Sequence, residues 1–174
     1  MTACRVCATE FPPQRMGQQV CGVRCAQRLP VVARKADKAQ QRRDKAKLDA
    51  IKPRSHWLKQ AQDAFNAWVR ALDVKAGRGC ISCGTHNGKM NAGHYRSVGS
   101  SPELRFEPKN CHLQCERCNT YLHGNLIEYR AALMKRNKYA VEWLEGPHEP
   151  KHYSTDELRT MAAEWRKQTR ELLR

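Results

Sequence analysis

Hydrophobic residues recur at three- and four-residue steps in the stretch that follows Pro53 and ends at Gly77 and Gly79. This spacing is typical of a helix with one buried face. We expect the helix to be capped near Ser55, whose hydroxyl can accept hydrogen bonds from the first free N–H groups. The apolar positions are Trp57, Leu58, Ala61, Ala64, Phe65, Trp68, Val69 and Leu72.

Two further helices are predicted towards the C-terminus. The stretch from Leu126 to about Leu144 is predicted to form one helix, with an inner stripe at helical spacing. Ser154 and Glu157 have the spacing of a capping box, which indicates where a last helix begins. The inner stripe of the first helix is Leu126, Tyr129, Leu133 and Ala140, and the last helix carries Leu158, Met161, Ala162, Trp165, Leu172 and Leu173.

Residues 31–54 show a different pattern, with nine Lys or Arg residues against three Asp and few apolar positions. Their residue types favour a helix, but the apolar content is too low to bury one face. We therefore expect a solvated basic helix or a flexible connector. It could supply sequence-independent affinity for nucleic acid, or it could serve only to keep the chain soluble. The candidate DNA contacts in this segment are Arg34, Lys35, Lys38, Arg42 and Arg43.

The overall charge supports a polyanionic partner. The chain has 174 residues and 32 Lys plus Arg against 17 Asp plus Glu, a formal net charge of +15. A protein this basic usually binds nucleic acid. No apolar run approaches the roughly 18 residues that a membrane span needs, and Cys4, Arg5 and Cys7 stand where a secretory signal would be apolar. We expect a cytoplasmic protein without a membrane partner, whose cysteines bind metal rather than form disulfides.

Eight of the nine cysteines form two sets with metal-ligand spacing. Two close pairs can together supply a closed tetrahedron of sulfurs, which suits a structural zinc ion. Cys111 is the spare cysteine in this assignment, although Cys111 and Cys115 could also form a ligand pair. Buried or redox-active cysteines and an iron–sulfur cluster are the alternatives. The predicted zinc ligands are Cys4, Cys7, Cys21 and Cys25 in the first set and Cys80, Cys83, Cys115 and Cys118 in the second.

Candidate catalytic residues lie between and just after the cysteines of the second set. They are His94, Asn110, His112, Asn119 and His123. An imidazole can take a proton from water near neutral pH, and an Asn amide can hold that imidazole in one tautomer. A further His or Asn at the start of a helix can hold a divalent cation beside a phosphodiester. These residue types therefore suit phosphodiester hydrolysis.

At these residues the sequence resembles the HNH (ββα-metal) endonucleases, and more closely the NinG (Rap) family of lambdoid phages. The resemblance covers most of residues 52–130 and, more loosely, the N-terminal cysteines and the basic segment. The matching segments are Lys52-Pro53-Arg54-Ser55, Trp57, Lys59-Gln60-Ala61-Gln62, Cys80-Ile81-Ser82-Cys83-Gly84, Ala92-Gly93-His94-Tyr95-Arg96, Leu104-Arg105-Phe106, Asn110, His112, Gln114-Cys115, Cys118-Asn119 and Gly124-Asn125.

The resemblance implies roles for particular residues. His94 matches the general base, and Asn110 matches the middle Asn, which would orient the imidazole. Asn119 stands where many HNH enzymes have their last His, and it would act in catalysis and bind the metal. Many relatives of this type carry an Asp or His ligand where this chain has Gly93. His112 or His123 could replace that ligand for Mg²⁺ or Mn²⁺.

The resemblance also implies a zinc-stapled α+β fold and a recombination nuclease that cuts branched DNA, such as Holliday junctions and D-loops. We divide the chain into a zinc module (1–30), a basic helical linker (31–54), an HNH-like core (55–146) and a C-terminal helix (147–174). Symmetric resolution of a junction needs two cuts, which favours a homodimer. Recombination proteins are possible partners in a phage-infected host cell.

Three further basic residues are candidates for contacts with phosphates next to the cut, namely Arg96, Arg105 and Lys109.

Two rival functions fit parts of the same pattern. A non-catalytic zinc-finger protein would bind DNA without metal-dependent nicking. A sequence-specific HNH endonuclease would cut linear duplex at defined sites.

Overall fold

The computed structural model describes residues 1–174 as a mostly helical chain with two small two-stranded sheets. The chain divides into two compact units, Met1–Lys52 and Pro53–Arg174. No helix combines the length and the apolar composition that crossing a membrane requires.

The first unit pairs strands β1 (Thr2–Ala3) and β2 (Glu10–Phe11) antiparallel and continues into helix α1 (Val23–Ala50). No residue of α1 is buried, so the structure shows the first of the two forms expected for this segment, a solvated helix. The helix begins well before residue 31 and passes through Pro30. The boundary predicted after residue 30 therefore falls inside a continuous helix.

The second unit begins with helix α2 (Arg54–Lys75). Its N-cap is Pro53 rather than Ser55, and no side chain caps it. The Ser55 prediction was wrong because the helix already begins at Arg54, which puts Ser55 inside its first turn. The predicted apolar face is confirmed, and its fully buried members are Ala61, Ala64, Phe65 and Val69.

A β-hairpin follows, formed by β3 (Met90–His94) and β4 (Cys111–Cys115). The register pairs His94 with Cys111 and Gly93 with His112. Because successive side chains of a strand point to opposite faces, His94 and His112 project from opposite faces of the hairpin. A single irregular helical turn, Arg117–Tyr121, comes directly after β4.

The helix predicted from Leu126 to Leu144 is two helices, α3 (Leu126–Arg136) and α4 (Lys138–Glu145). Asn137 separates them in an extended conformation, and its side-chain oxygen accepts the N–H of Ala140 at 3.1 Å. Asn favours such caps because its short side chain competes for backbone groups. The predicted stripe is buried at Tyr129, Leu133 and Ala140, whereas Leu126 is 48% exposed.

Helix α5 (Thr155–Leu172) packs along α2 and completes the core. The predicted capping box is confirmed, since Ser154 Oγ accepts the N–H of Glu157 and Glu157 Oε2 accepts the N–H of Ser154. Leu158 and Ala162 of α5 are buried in the same cluster as Phe65. This helix pair is the platform against which one face of the hairpin packs.

Candidate active site and zinc clusters

Both predicted sets of four cysteines come together in space. Within each set, the four sulfur atoms lie within 4.8 Å of one another. Sulfurs at about 2.3 Å from a tetrahedral zinc ion stand about 3.8 Å apart. The sulfurs of Cys7 and Cys21 are separated by 3.6 Å, and those of Cys83 and Cys115 by 3.7 Å. Each cluster therefore has the donor set and spacing to hold one structural zinc ion.

The second cluster also directs polar groups at its sulfurs. Burial opposes ionisation of Cys80, but N–H groups of Cys115, Cys83 and Ser82 directed at its sulfur lower the pKa of the thiol to about 7. Asn125 Nδ2 lies 3.6 Å from Cys118 Sγ. Such contacts favour thiolate ligands.

Cys111 lies outside both clusters, whereas Cys115 belongs to the second cluster. This answers the question that the spacing left open. Cys111 is 1% exposed, and burial raises the pKa of its thiol far above the ordinary value. Its sulfur lies 3.6 Å from Nδ1 of His94, the residue paired with it across the hairpin.

His94 ends strand β3 as a half-buried side chain with fixed surroundings. Its Nε2 lies 3.0 Å from the main-chain oxygen of Arg105. A carbonyl oxygen can only accept, so Nε2 carries the hydrogen and Nδ1 keeps the lone pair of the neutral ring. Burial lowers the pKa of His94 below its ordinary value. The ring is therefore neutral near pH 7 and can accept a proton.

Asn110 is 0% exposed and is bound entirely to backbone. Its Oδ1 accepts the N–H of Arg96 at 2.7 Å, and its Nδ2 donates to the oxygens of Arg96 and Leu104 at 3.0 and 3.1 Å. The sequence led us to expect this amide to hold the imidazole of His94 directly. Instead it fixes the loop that leads from His94 to Arg105, whose carbonyl accepts from the ring.

An open cavity of about 500 Å³ brings several predicted residues together. His94 lines it from the end of β3, and Asn119 lines it from the turn after β4. His123 and Arg96 line it as well, together with the hydroxyl-bearing residues Tyr95, Ser97 and Ser100. The cavity thus combines a neutral imidazole, an amide, a second imidazole and a guanidinium, and no acidic side chain lines it. Such a site can accept a proton beside a bound anion.

The chain matches known proteins over its full length. A family model described as Bacteriophage Lambda NinG protein matches residues 1–174. The chain belongs to the NinG family. Protein ninG of Salmonella phage P22 is 36% identical over 184 residues, which cover 95% of this chain and 90% of that protein. Protein ninG of Escherichia phage lambda is also 36% identical, over 95% of this chain and 89% of its own length. No solved structure matches.

Packing explains why the residue before His94 is a glycine, Gly93, in this NinG-family chain. A Cβ atom at residue 93 would stand 2.1 Å from Oε1 of Gln114. The Gln114 side chain is 0% exposed, and its Nε2 donates to Gly124 O at 2.6 Å and to Ser82 Oγ at 2.8 Å. The space of an acidic side chain at 93 is therefore occupied by an amide.

His112 does not reach the cavity of His94. It lines a separate cavity with Arg78, Lys109 and Arg136. The register explains this, since residues 94 and 112 project from opposite hairpin faces. The structure therefore places His112 apart from Asn119 and His123, the other two predicted ligands of the divalent cation.

The three predicted phosphate clamps are also separated. Arg96 lines the cavity of His94, whereas the guanidinium of Arg105 donates to Gln62 Oε1 at 3.1 Å and faces another depression. Lys109 lies on the side of His112. The predicted DNA contacts of α1 are all exposed: Arg34, Lys35, Lys38, Arg42 and Arg43.

Two residues that lie against the His94 ring could not be identified as its neighbours from the sequence. Cys111 was set aside as a spare thiol, although it contacts Nδ1. Phe65 was treated only as core, although its ring centroid lies 6.2 Å from that of His94. A fixed hairpin register would have revealed the first contact. The second depends on the docking of α2 against the hairpin, for which the sequence holds no local signal.

Proposed function

We propose that this chain is a metal-dependent DNA endonuclease of the ββα-metal type that cleaves branched recombination intermediates, namely four-way junctions and D-loops. The observation that supports this most directly is the cavity shared by His94, Asn119, His123 and Arg96. The antiparallel hairpin followed at once by the turn that carries Asn119 is the arrangement expected of that nuclease type.

His94 is the proposed general base. Its Nε2–H is held by the Arg105 carbonyl, so the Nδ1 atom receives the proton of the attacking water. Asn110 acts as a positioning residue, because it holds both ends of the loop that supplies this carbonyl. The Cys111 thiol is a weak donor to Nδ1, so it is the contact that the attacking water would replace.

Asn119 and His123 are the side chains that would hold a divalent cation in the cavity. One amide oxygen and one imidazole fit Mg²⁺ or Mn²⁺ with phosphate and water oxygens as the other ligands, and the imidazole suits Mn²⁺ better. Such a cation would stabilise charge on the scissile phosphate and on the leaving 3′ oxygen. The zinc clusters have no part in this step, since four sulfurs leave no open position.

Arg96 is the proposed contact to a phosphate next to the scissile one. It is exposed at the cavity, and its Nε lies 3.3 Å from Ser101 Oγ, which restrains the side chain. The net charge of +15 and the exposed cations of α1 would add salt-dependent affinity that does not depend on sequence. A branch is recognised as a shape rather than as a base sequence.

The test is a cleavage assay on a four-way junction, a D-loop and a linear duplex of matched sequence, each with Mg²⁺, Mn²⁺ or EDTA. We expect cuts in the branched substrates with metal and none with EDTA. Binding without nicking would favour a zinc DNA-binding protein, and cuts at fixed sites in the duplex would favour a sequence-specific nuclease. Paired cuts on opposite strands, together with a dimer mass in solution, would support the homodimer.

A further inference from the structure

A second cavity, of about 330 Å³, lies on the side of the hairpin from which His112 projects. Its polar lining comes from Arg78, Lys109, His112, Arg136 and Asn137. It shares no residue with the cavity of His94. The nuclease mechanism proposed above does not use it.

The lining carries an excess of positive charge. Arg78, Lys109 and Arg136 are cationic, and no acidic side chain lines the cavity. The carboxylate beneath it, Asp73, is 2% exposed and accepts from Arg78 Nη1 at 2.9 Å and from Leu113 N at 2.6 Å. Three cations against this one carboxylate leave an excess of two positive charges.

Two of these cations are free of acidic partners. Lys109 Nζ lies 5.0 Å above the Trp143 ring, a contact that orients the ammonium group without neutralising it. Arg136 is exposed at the end of α3 and forms no ion pair. Both charges can therefore be directed at an incoming anion.

His112 supplies a second, independent observation. Its Nε2 is buried and has no hydrogen-bond partner, and its Nδ1 lies 3.9 Å from Asp73 Oδ2, beyond hydrogen-bond distance. Burial lowers the pKa of this imidazole to about 4, so the ring adds no charge at neutral pH. Buried polar atoms are nearly always paired. With its one hydrogen on Nε2, the neutral ring could donate to an oxygen of an anionic ligand.

We propose that this cavity binds a phosphate group of the DNA backbone, on a different arm of the branched substrate from the arm that is cut. Guanidinium and ammonium groups around a concave site suit phosphate oxygens. His94 and His112 project from opposite faces of the hairpin, and the two cavities have no lining residue in common. A phosphate of one arm at His94 therefore leaves this cavity free for a phosphate of another arm. The assignment to a second arm rests on the proposed nuclease function.

The main test measures DNA binding by the His94→Ala chain, which binds without cutting. The variant Lys109→Gln/Arg136→Gln is compared with Lys135→Gln, an exposed neighbour on α3 that does not line the cavity. We expect the double variant to bind a four-way junction about tenfold more weakly and to lower the salt slope by about two. Affinity for the linear duplex should change by less than about threefold, and the control should match the parent on both DNAs.

A second measurement does not depend on branched DNA. Inorganic phosphate is titrated into the chain while NMR follows the His112 ring and the arginine side chains. Saturable shifts at His112, absent in the double variant, would support the site even if no DNA were ever cut. Unchanged His112 signals, together with unchanged junction binding, would overturn it. An equal loss of affinity for junction and duplex would overturn the assignment to a second arm.

Discussion

The Nε2 atom of His94 lies 3.0 Å from the main-chain oxygen of Arg105, and this contact determines which ring nitrogen is basic. Arg105 belongs to the loop that Asn110 holds through Arg96 and Leu104. The buried amide and the candidate base are thus coupled through backbone rather than through a direct contact.

Replacement of His94 with Ala should lower cleavage by about 10²- to 10⁴-fold, the range that general base catalysis supplies. Affinity for the junction should change little, because Arg96 and the other cations remain. Single-turnover cleavage and anisotropy measure the two effects. His86→Ala is the matched control, since His86 is exposed and lies outside the cavity. A His94→Ala chain that cuts at the rate of this control would remove His94 from the mechanism.

The pH dependence of cleavage should reflect the environment of His94. Burial lowers the pKa of the imidazole below its ordinary value of 6.5. The basic, neutral form is thus retained below pH 6.5, and the rate should fall only at lower pH, as the ring becomes protonated. Single-turnover rates between pH 5 and 8, with junction binding measured at each pH, test this. A rate that already falls above pH 6.5, while binding stays constant, would contradict it.

Replacement of Asn110 with Ala should destabilise the fold as well as the site. The side chain is 0% exposed, and its loss leaves the N–H and the carbonyl oxygen of Arg96 without partners, whereas Leu104 O keeps the N–H of Glu107. Unpaired buried groups of this kind cost about 2–4 kcal/mol in total. Urea unfolding measures the loss, with exposed Asn87→Ala as the control. Equal unfolding midpoints for the two variants would argue against this positioning role.

Local sequence patterns predicted those helix ends that depend only on neighbouring residues. Ser154 and Glu157 satisfy each other within one helical turn, so their spacing was sufficient. Ser55 was misassigned as the cap because the helix begins one residue earlier, at Arg54, with Pro53 as its N-cap. The break at Asn137 was missed because the apolar stripe runs on through it to Ala140.

The site was predictable in its residue types and less so in its geometry. Cysteine spacing identified both clusters, since each needs only two close pairs that meet. The separation of His94 from His112 depends on the strand register, because a shift of one residue would move every side chain of a strand to the other face of the hairpin. The position of Gln114 beside Gly93 depends on packing between elements, which no local pattern encodes.

The zinc content of two variants should show that Cys118 is a zinc ligand and that Cys111 is not. Wild-type chain should carry two zinc ions, and Cys118→Ser should carry one, because Cys118 belongs to the second cluster. Cys111→Ser should keep both, because its sulfur contacts His94 instead. Elemental analysis of purified protein gives the ratio. Loss of a zinc ion in Cys111→Ser, with both retained in Cys118→Ser, would reverse the ligand assignment.

Replacement of Gly93 with Ala should disturb the site through Gln114. The added Cβ would stand 2.1 Å from Gln114 Oε1 and 2.9 Å from its Cδ, so the amide must move. That movement breaks the bond from Gln114 Nε2 to Gly124 O, and Gly124 lines the cavity next to His123. Overpacking of this kind costs about 1–3 kcal/mol, and we expect a loss of cleavage with it.

The control for Gly93→Ala is Gly99→Ala, where the nearest atom to an added Cβ is Ser97 Oγ at 3.9 Å. Unfolding and cleavage should be measured for both and for Gly93→Ala/Gln114→Ala. The Gly93→Ala substitution should cost less stability when Gln114 is already Ala, because Oε1 and Cδ are then absent and only the contact with the Cβ of residue 114, at 3.0 Å, remains. If the cost is the same with and without the Gln114 side chain, the glycine is required for a reason other than this contact.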